Sequence, residues 1–383
     1  MHFDDNPHGR WSVQLMLSGV VPVQAKTVEM MKSFEFSFIF AKIGFFTTLF
    51  TNLFLIYATV CHMRRLDFTY RTMISFFGLT GLIFSGWELI SKPFMHNFND
   101  SMIFFSLRTT VSQKFFQFSI AFHAAICEAM IAMISIQFVY RYFSLLRPDY
   151  RKDDGKGTVF WLLYPVVPGV MYFCSFYIYC MPDQFTDAYL RTEMLSSYGL
   201  QIIDIPRFII VSYVIVSCIR LAKIAESFQN TDDTIRWKNM VFLIQGSVIL
   251  GFHYLLILFY GIKMHFHLKK KLNEFSVTTT RLHKQVFRAL VVQILIPTVI
   301  FILPSVPIFF GPLLSPLLGI PISLRSGWLC SIFSVYPVAD SLAFMLIVSE
   351  YKKIFAVKLI GVFAPTATFS AQSFTVDPRV HPM

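Results

Sequence analysis

MVFLIQGSVILGFHYLLILFYGI, residues 240–262, contains no Asp, Glu, Lys or Arg and is followed directly by KMHFHLKKK, residues 263–271. The first run is long enough for an α-helix to cross a bilayer, which takes about 20 mostly apolar residues. The basic run that follows is typical of cytoplasmic loops, where Lys and Arg collect. Together they predict a membrane helix whose C-terminal end lies in the cytoplasm.

The rest of the chain repeats this pattern, and the composition agrees with it. Of 383 residues, 55% are hydrophobic and only 14% are charged, with 44 Phe, which is too apolar for an ordinary soluble surface. The seven predicted spans are Phe36–Val60, Met73–Ile90, Phe118–Val139, Val159–Cys180, Met240–Ile262, Ala289–Phe310 and Gly327–Val348. We therefore predict an all-α integral membrane protein, a seven-transmembrane helix bundle.

Basic residues indicate which ends of the spans are cytoplasmic. More than half of the 33 Lys and Arg residues follow the first, third, fifth and seventh spans, which places those segments inside and the N-terminus outside. The net charge of +11 is thus explained by topology and membrane contact, and nucleic acid is not an expected partner.

An eighth apolar run, Phe208–Ile219, is too short to span. If it did span, every later loop would invert and the basic loops would face outward. We interpret it as an interfacial or loop helix, or as sequence from a mis-spliced gene model.

Three regions follow from these spans. Residues 1–33 form an extracellular N-terminal segment, which is a poor signal peptide and alternatively a gene-model extension. Residues 34–350 form the bundle, with an atypical insertion at about 201–226 in the second extracellular loop. Residues 351–383 form a cytoplasmic tail with a flexible end.

Other local patterns are weaker. Asn99-Asp100-Ser101 is an N-glycosylation pattern on the predicted outer side, although such tripeptides also arise by chance. Six irregularly spaced cysteines indicate neither a metal site nor a disulfide framework, and no cofactor is expected. His265 and His267 lie in a basic run and are interpreted as part of a solvated face rather than as metal ligands.

Ionisable residues within the spans are candidates for function because their burial in lipid is costly. Glu128 lies near the middle of the third span and Asp340 in the seventh, three residues after Pro337, which suits a hinge; a static packing role is the alternative. Lys42 and Glu88 lie nearer span ends, where we expect them to snorkel toward the interface.

Prolines should bend the sixth span. Pro297, Pro304 and Pro307 lie within it, and Gln293 precedes Pro297 by one turn, where its amide could bridge to another helix. At the inner end of the third span, Tyr140-Arg141-Tyr142 places an arginine at the membrane boundary, which alone indicates only a snorkelling side chain.

The sequence resembles the nematode seven-transmembrane chemoreceptors of the Str class, which include the receptor for the odorant diacetyl. The most specific match is the run Thr280–Pro297. The other matching segments are Thr51–Ile56 with Asn52, Lys92–His96 with its Pro-x-x-His pattern, Gln137–Tyr142 and Tyr336–Asp340. Lys352, where the family usually has Arg, is a mild departure, and the N-terminal extension and the insertion are larger ones.

The resemblance implies a G-protein-coupled receptor in the plasma membrane of sensory neuron cilia that detects a small odorant or water-soluble molecule. Arg141 and the basic third inner loop would contact a heterotrimeric G protein. The residues expected to couple and switch are Tyr140, Arg141, Tyr142, Pro297, Pro337 and Asp340. The residues expected to bind ligand in the outer half of the bundle are Phe118, Phe122, His123, Gln245, Phe301 and Phe333.

A channel or transporter is the alternative from another class, with Glu128, His253 and Asp340 as an ion or proton path. No inverted repeat or acidic ring supports it. An enzyme is not expected, because no nucleophile or metal-ligand constellation falls on a common face.

Overall fold

The computed structural model describes residues 8–63, 66–108, 111–146, 157–214, 234–271, 277–318, 323–325 and 327–355. The helices are α1 (His8–His62), α2 (Phe68–Ser91), α3 (Gln113–Leu146), α4 (Thr158–Leu163), α5 (Val166–Tyr179), α6 (Gln184–Tyr198), α7 (Trp237–Lys271), α8 (Val277–Pro297), α9 (Leu303–Leu318), α10 (Gly327–Phe333) and α11 (Tyr336–Ile347). The strands are β1 (Pro93–Phe98), β2 (Ser101–Ser106), β3 (Arg207–Val211), β4 (Tyr213–Val214), β5 (Thr234–Ile235) and β6 (Ser323–Arg325).

Seven apolar spans account for most of these helices, and the predicted seven-helix class is confirmed. Within the described residues, six helices are long and apolar enough to cross a membrane, and α11 is a shorter apolar helix. Spans 1 to 3 are α1 from Glu35 onward, α2 and α3; span 4 is α4 with α5, and span 5 is α7. Span 6 is α8 with α9, joined by a π-helical turn at Thr298–Ile302, and span 7 is α10 with α11.

The described parts of the predicted N-terminal segment and C-terminal tail are helical. From residue 8 onward, the N-terminal segment 1–33 belongs to α1, which continues into span 1 without a break. Residues 349–355 are helical as well, and the predicted flexible end of the tail lies outside the described residues.

Span 7 is interrupted before its proline. A turn at Ser334 and Val335 separates α10 from α11, and Pro337 lies in the first turn of α11. Proline lacks the backbone N–H that would continue the helical ladder, so a break here has a direct covalent cause. The kink predicted at Pro337 is thus a short non-helical joint.

One end of the bundle carries a four-stranded antiparallel sheet, which the all-α prediction did not include. The strand order is β3-β2-β1-β6, and β1 and β2 form a hairpin that turns at Asn99 and Asp100. We call this the sheet end and the opposite end the basic end. The segment Lys92–His96, matched to the end of the second helix, runs from the residue after α2 into β1.

The sheet buries both of its faces because its side chains alternate between them. Met95, Phe104 and Phe208 join the core of the bundle. The neighbouring Phe105 and Ile209 join a second core with α6. The sheet is therefore the middle layer between the bundle and α6.

The interpretation of the run Phe208–Ile219 as a loop helix is wrong for its described part. Residues 208–211 form strand β3 with every side chain buried, and β4 follows. A short, continuously apolar run is what a strand buried on both faces requires, and periodicity alone does not separate it from a helix. The remainder of the insertion, from residue 215, lies outside the described residues.

A buried ion pair holds α6 to the sheet. Arg207 Nε and Nη2 donate to the two carboxylate oxygens of Asp187 at 2.8 and 2.6 Å. Helix α6 itself begins with a capping box in which Asp183 and Thr186 satisfy each other's backbone N–H groups, and it ends at Gly199 with φ +64°.

Candidate functional site

A cavity of about 150 Å³ lies inside the bundle against the inner face of the sheet. Spans 3 to 7 form its walls, and Pro93, Met95 and Phe104 of the sheet form its roof. Most of its lining is aliphatic and aromatic. The side chains that bring polar atoms or thiols to it are His123, Cys127, Glu128, Tyr172, Ser247, Ser305 and Cys330.

Aromatic rings shape the wall that spans 6 and 7 share. The rings of Phe301 and Phe333 pack with centroids 4.2 Å apart, which is close contact for an aromatic pair. Phe301 also lies within the π-helical turn that follows Pro297. The cavity wall and the π-helical turn of span 6 therefore share a residue.

The structure brings together three of the six predicted ligand residues. His123, Phe301 and Phe333 line the cavity. His123 stacks on Phe84 at 4.7 Å, and its Nε2 has no hydrogen-bond partner among the described residues. It is therefore a buried polar atom close to the cavity.

Phe118, Phe122 and Gln245 do not line the cavity. Phe118 and Phe122 stack on each other at 5.7 Å, and both pack against Trp87 of span 2. On span 5, the residues next to Gln245 line the cavity instead, namely Gly246, Ser247 and Leu250. Apolarity alone does not reveal which of several neighbouring positions on a helix faces inward.

A polar chain holds the carboxylate that borders the cavity. Glu128 Oε1 lies 3.2 Å from His253 Nδ1, and His253 Nε2 lies 3.3 Å from the hydroxyl of Tyr164. The Glu128–His253 contact has ion-pair distance but not the alignment of a hydrogen bond. Sequence reasoning named Glu128 and His253 as steps of a path and missed Tyr164.

A hydroxyl group beside Pro297 bonds the backbone of span 6. The hydroxyl of Thr298 donates to the carbonyl of Ile294 at 2.6 Å and lies 2.7 Å from the hydroxyl of Tyr254 on span 5. Hydroxyl groups of this kind commonly satisfy the backbone around prolines in membrane helices.

Asp340 links spans 6 and 7 below the cavity. Gln293 Nε2 donates to Asp340 Oδ2 at 2.8 Å, and Asp340 is fully buried. The expected bridging role of the Gln293 amide thus has a partner. The next residue, Ser341, donates to the side-chain oxygen of Asn52, and Nδ2 of Asn52 donates to the carbonyl of Gly78 at 2.9 Å.

The expectation that Glu88 snorkels is wrong. Glu88 is buried and accepts a hydrogen bond of 2.6 Å from Ser334, at the joint between α10 and α11. Ser334 belongs to span 7, about 250 residues later in the chain. The position of Glu88 near the end of span 2 therefore did not indicate whether it is buried.

Lys42 is exposed, as expected for a residue near a span end, and its ammonium lies 4.1 Å from the ring of Phe38. Lys92, just after α2, lies 3.3 Å from the same ring. Burial, together with the charges of Arg108 and Lys42, lowers the pKa of the Lys92 amine to about 8.

Arg141 is buried rather than snorkelling, with only 2% of its surface exposed. Its Nη1 lies 3.6 Å from Asp67 Oδ1, and its guanidinium stacks 3.4 Å from the ring of Tyr70. Tyr140 donates its hydroxyl proton to Asp67 Oδ2. We call Asp67, Tyr70, Tyr140 and Arg141 the Arg141 cluster.

Asp67 was missed by sequence reasoning, although one signal pointed to it. An Asp directly before an apolar helix is an N-cap signal, and Asp67 does accept from the backbone N–H of Tyr70 at 3.2 Å. Burial by itself would raise the pKa of this carboxyl, but the charge of Arg141 and the hydrogen bond from Tyr140 hold it below the usual 3.8. The carboxyl group of Asp67 is therefore ionised at neutral pH.

The basic end presents an exposed cationic surface around the Arg141 cluster. Tyr142, the third residue of the predicted motif, packs on Tyr260 at 5.4 Å, and Lys263 lies 5.9 Å from its ring. The exposed basic side chains of this surface are Lys263, Lys269, Lys270, Arg281, Lys284, Arg288, Lys352 and Lys353. Within the described residues, no group of three His, Cys, Asp or Glu side chains is placed to hold a metal ion.

Asn99 lies in the β1–β2 turn at the sheet end and is partly exposed, with φ +48°. Asn tolerates this left-handed conformation better than most residues do. The predicted glycosylation site is therefore at the end opposite the basic surface.

A seven-helix bundle with a cavity toward one end and a basic surface at the other has the architecture of a seven-transmembrane receptor. Comparison with known families makes this specific. The model of the family "Serpentine type 7TM GPCR chemoreceptor Str" matches residues 37–356, and the chain belongs to that family. It is thus a multi-pass membrane protein and a GPCR-like chemosensory receptor, in a family of receptors rather than enzymes.

Individual relatives agree with this family assignment. The chain is 33% identical over 317 residues to "G-protein coupled receptor str-33" of Caenorhabditis elegans, covering 82% of this chain and 87% of the relative. It is 24% identical over 292 residues to "Serpentine receptor class r-10" of Caenorhabditis elegans, covering 74% and 80%. The Caenorhabditis briggsae protein of that name is 24% identical over 317 residues, covering 81% and 86%.

Proposed function

We propose that this receptor binds a small, largely apolar odorant in the cavity under the sheet and activates a heterotrimeric G protein at its basic end. The cavity carries the proposal. Its volume of about 150 Å³ is similar to that of an engineered apolar cavity that binds benzene. A ligand of that size, with one or two polar atoms to meet His123 or Glu128, suits the site.

The structure offers a route from the cavity to the basic end. Phe301 lines the cavity within the π-helical turn, and about two turns closer to the basic end Gln293 bonds Asp340. A ligand that displaces Phe301 would alter the bend at Pro297, and a changed bend moves the lower half of span 6. Gln293 and Asp340 would then favour one of two arrangements of spans 6 and 7.

The G-protein contact is assigned to the basic end. Its exposed Lys and Arg side chains would steer an acidic partner surface, because complementary charge mainly raises the association rate. The Arg141 cluster would hold span 3 to the start of span 2 in the resting state and release Arg141 on activation.

This assignment requires the sheet end, and the N-terminus with it, to be extracellular, at the plasma membrane of sensory neuron cilia. A tag before Met1 should then be detected on intact cells, and a tag after Met383 only after permeabilisation. Detection of both tags on the same side would overturn the topology.

Cavity binding is tested by filling the cavity. Ala124 lines it, so Ala124→Phe should abolish calcium responses to a panel of small odorants in cells that express the receptor. The matched control is Val170→Phe, which adds the same ring at an exposed position that does not line the cavity. Responses are normalised to surface receptor, and a normal response of Ala124→Phe would place the ligand elsewhere.

The alternative of a channel or transporter loses support, because its proposed residues do not form one path. Glu128 borders the cavity with His253 beside it, whereas Asp340 is bonded to Gln293 and does not line the cavity. A ligand-triggered current in cells that lack G-protein signalling would nevertheless favour the channel over the receptor.

A further inference from the structure

The cavity is closed toward the sheet end. Its roof residues Met95 and Phe104 are buried, and the other face of the same sheet is covered by α6. The ion pair between Arg207 and Asp187 holds these two layers together. A ligand arriving from water at the sheet end would have to pass through both layers.

The cavity reaches the surface of the bundle at its side instead. Three of its lining residues are exposed there, namely Ser247 on span 5 and Val306 and Phe310 on span 6. Val306 is 44% exposed and Phe310 is 40% exposed. The same side chains thus face both the cavity and the surroundings of the bundle, which marks an opening between α7 and α9.

This opening lies at the depth of lipid chains. At 1.5 Å per residue, Ser247 is about 15 Å along α7 from its first residue, Trp237. The hydrocarbon core is about 30 Å thick, so this position lies well inside it. The hydroxyl of Ser247 donates a hydrogen bond to the carbonyl of Leu243 at 2.8 Å. The side chain can therefore face lipid without an unsatisfied donor.

The opening has a defined lower edge. Toward the basic end, spans 5 and 6 are joined by the contact between the hydroxyls of Tyr254 and Thr298 at 2.7 Å. On the side toward the sheet, span 6 contains Pro304 and Pro307, which cannot donate backbone hydrogen bonds. The helix segment beside the opening therefore lacks two of its possible backbone donors.

We propose that ligands enter and leave the cavity from the bilayer, through the opening between Ser247 and Val306. This rests on the proposed function and restricts it to uncharged molecules that partition into lipid and fit about 150 Å³. The membrane then concentrates the ligand before it meets the receptor, and charged molecules are excluded by the cost of crossing hydrocarbon.

The native cysteines allow this route to be tested without a known ligand. Cys127 and Cys330 line the cavity, whereas Cys61 and Cys174 are exposed on the bundle. Purified full-length receptor in phosphatidylcholine nanodiscs is treated with N-ethylmaleimide, which is small and uncharged, or with a charged sulfonate methanethiosulfonate reagent. Labelling of each cysteine is followed over time by mass spectrometry.

N-ethylmaleimide should label Cys127, and Val306→Trp or Ser247→Trp should slow that labelling roughly tenfold or more by filling the opening. The matched controls are Leu303→Trp and Val248→Trp, which are 60% and 64% exposed on the same helices and do not line the cavity. These controls should leave the rate unchanged, and Cys61 and Cys174 should label equally in every variant. The charged reagent should not label Cys127.

Two results would overturn the proposal. They are no labelling of Cys127 by N-ethylmaleimide in the wild type, and an equal labelling rate of Cys127 in the blocked and the control variants. Because labelling is measured without any signalling step, its failure is distinguishable from a failure of receptor function, which the odorant panel reports.

Discussion

At the sheet end, the segments between the spans form strands whose side chains are buried on two faces, whereas at the basic end the helices project exposed Lys and Arg side chains. The buried charges differ as well. Arg207 and Asp187 form a bidentate pair with distances of 2.6 and 2.8 Å. Arg141 and Asp67 lie 3.6 Å apart, with Tyr140 hydrogen-bonded to Asp67 and Tyr70 stacked on Arg141. The sheet end is thus built as a fixed closure, and the basic end is held by contacts that can exchange partners.

The largest effect, on stability, should come from breaking the ion pair between Arg207 and Asp187 at the sheet end. Arg207→Ala leaves Asp187 mostly buried without its partner, and breaking a buried pair costs about 3–5 kcal/mol. The apparent melting temperature of the receptor in detergent, and its surface level in cells, should both fall.

Arg191→Ala is the control for this change, because Arg191 lies on the same helix α6 and is exposed. It should change the melting temperature little. Equal effects of the two substitutions would mean that the Arg207–Asp187 pair does not hold the sheet end together.

The second effect concerns the Arg141 cluster. Asp67→Asn keeps the N-cap of α2, since Asn caps as well as Asp, but removes the charge that Arg141 faces. If the pair favours the resting state by about 1.4 kcal/mol, its loss should raise basal signalling about tenfold. Arg141→Ala should instead abolish signalling per surface receptor, because it removes the residue that we propose contacts the G protein.

Acidity provides a check on the same pair. Because the pKa of Asp67 is lowered in the folded protein, its contribution to stability is present above about pH 4 and is lost as the pH falls through the folded value.

Basal signalling by Asp67→Asn that matches the wild type would restrict Arg141 to a structural role.

A smaller change in signalling is expected from substitution of Asp340. Asp340→Asn keeps the shape of the side chain and an oxygen that can accept the hydrogen bond from Gln293, but it removes the ionisable carboxyl group. Basal second messenger should rise, or the ligand response should change, when both are normalised to surface receptor. A static packing residue would alter expression or stability and leave the response per receptor unchanged.

The smallest effect is expected at the β1–β2 turn. Asn99→Asp removes the glycosylation pattern while keeping a residue type that tolerates φ +48°. Glycosidase should shift the gel mobility of the wild type but not of this variant, and signalling should be unaffected. A wild-type mobility that glycosidase does not change would show that Asn99 carries no glycan.

Sequence and structure contributed differently to the candidate site. Length and apolarity suffice to identify a span, so the spans were predictable, and Pro297 and Pro337 mark their breaks because proline lacks a backbone donor wherever it lies. Which side of a helix faces a cavity depends on packing with its neighbours. This is why His123, Phe301 and Phe333 line the cavity while Phe118 packs against Trp87.

By itself, the sequence determined the membrane class, the number of spans and the charge difference between the two ends, because these depend only on composition along the chain. Only the tertiary structure decided the partners of Arg141 and Glu88, which are Asp67 and Ser334 from distant segments. It also decided that residues 208–211 are a strand, since a short apolar run becomes a strand only where β2 offers hydrogen bonds along its edge. The opening between spans 5 and 6 follows in the same way from how those two helices pack.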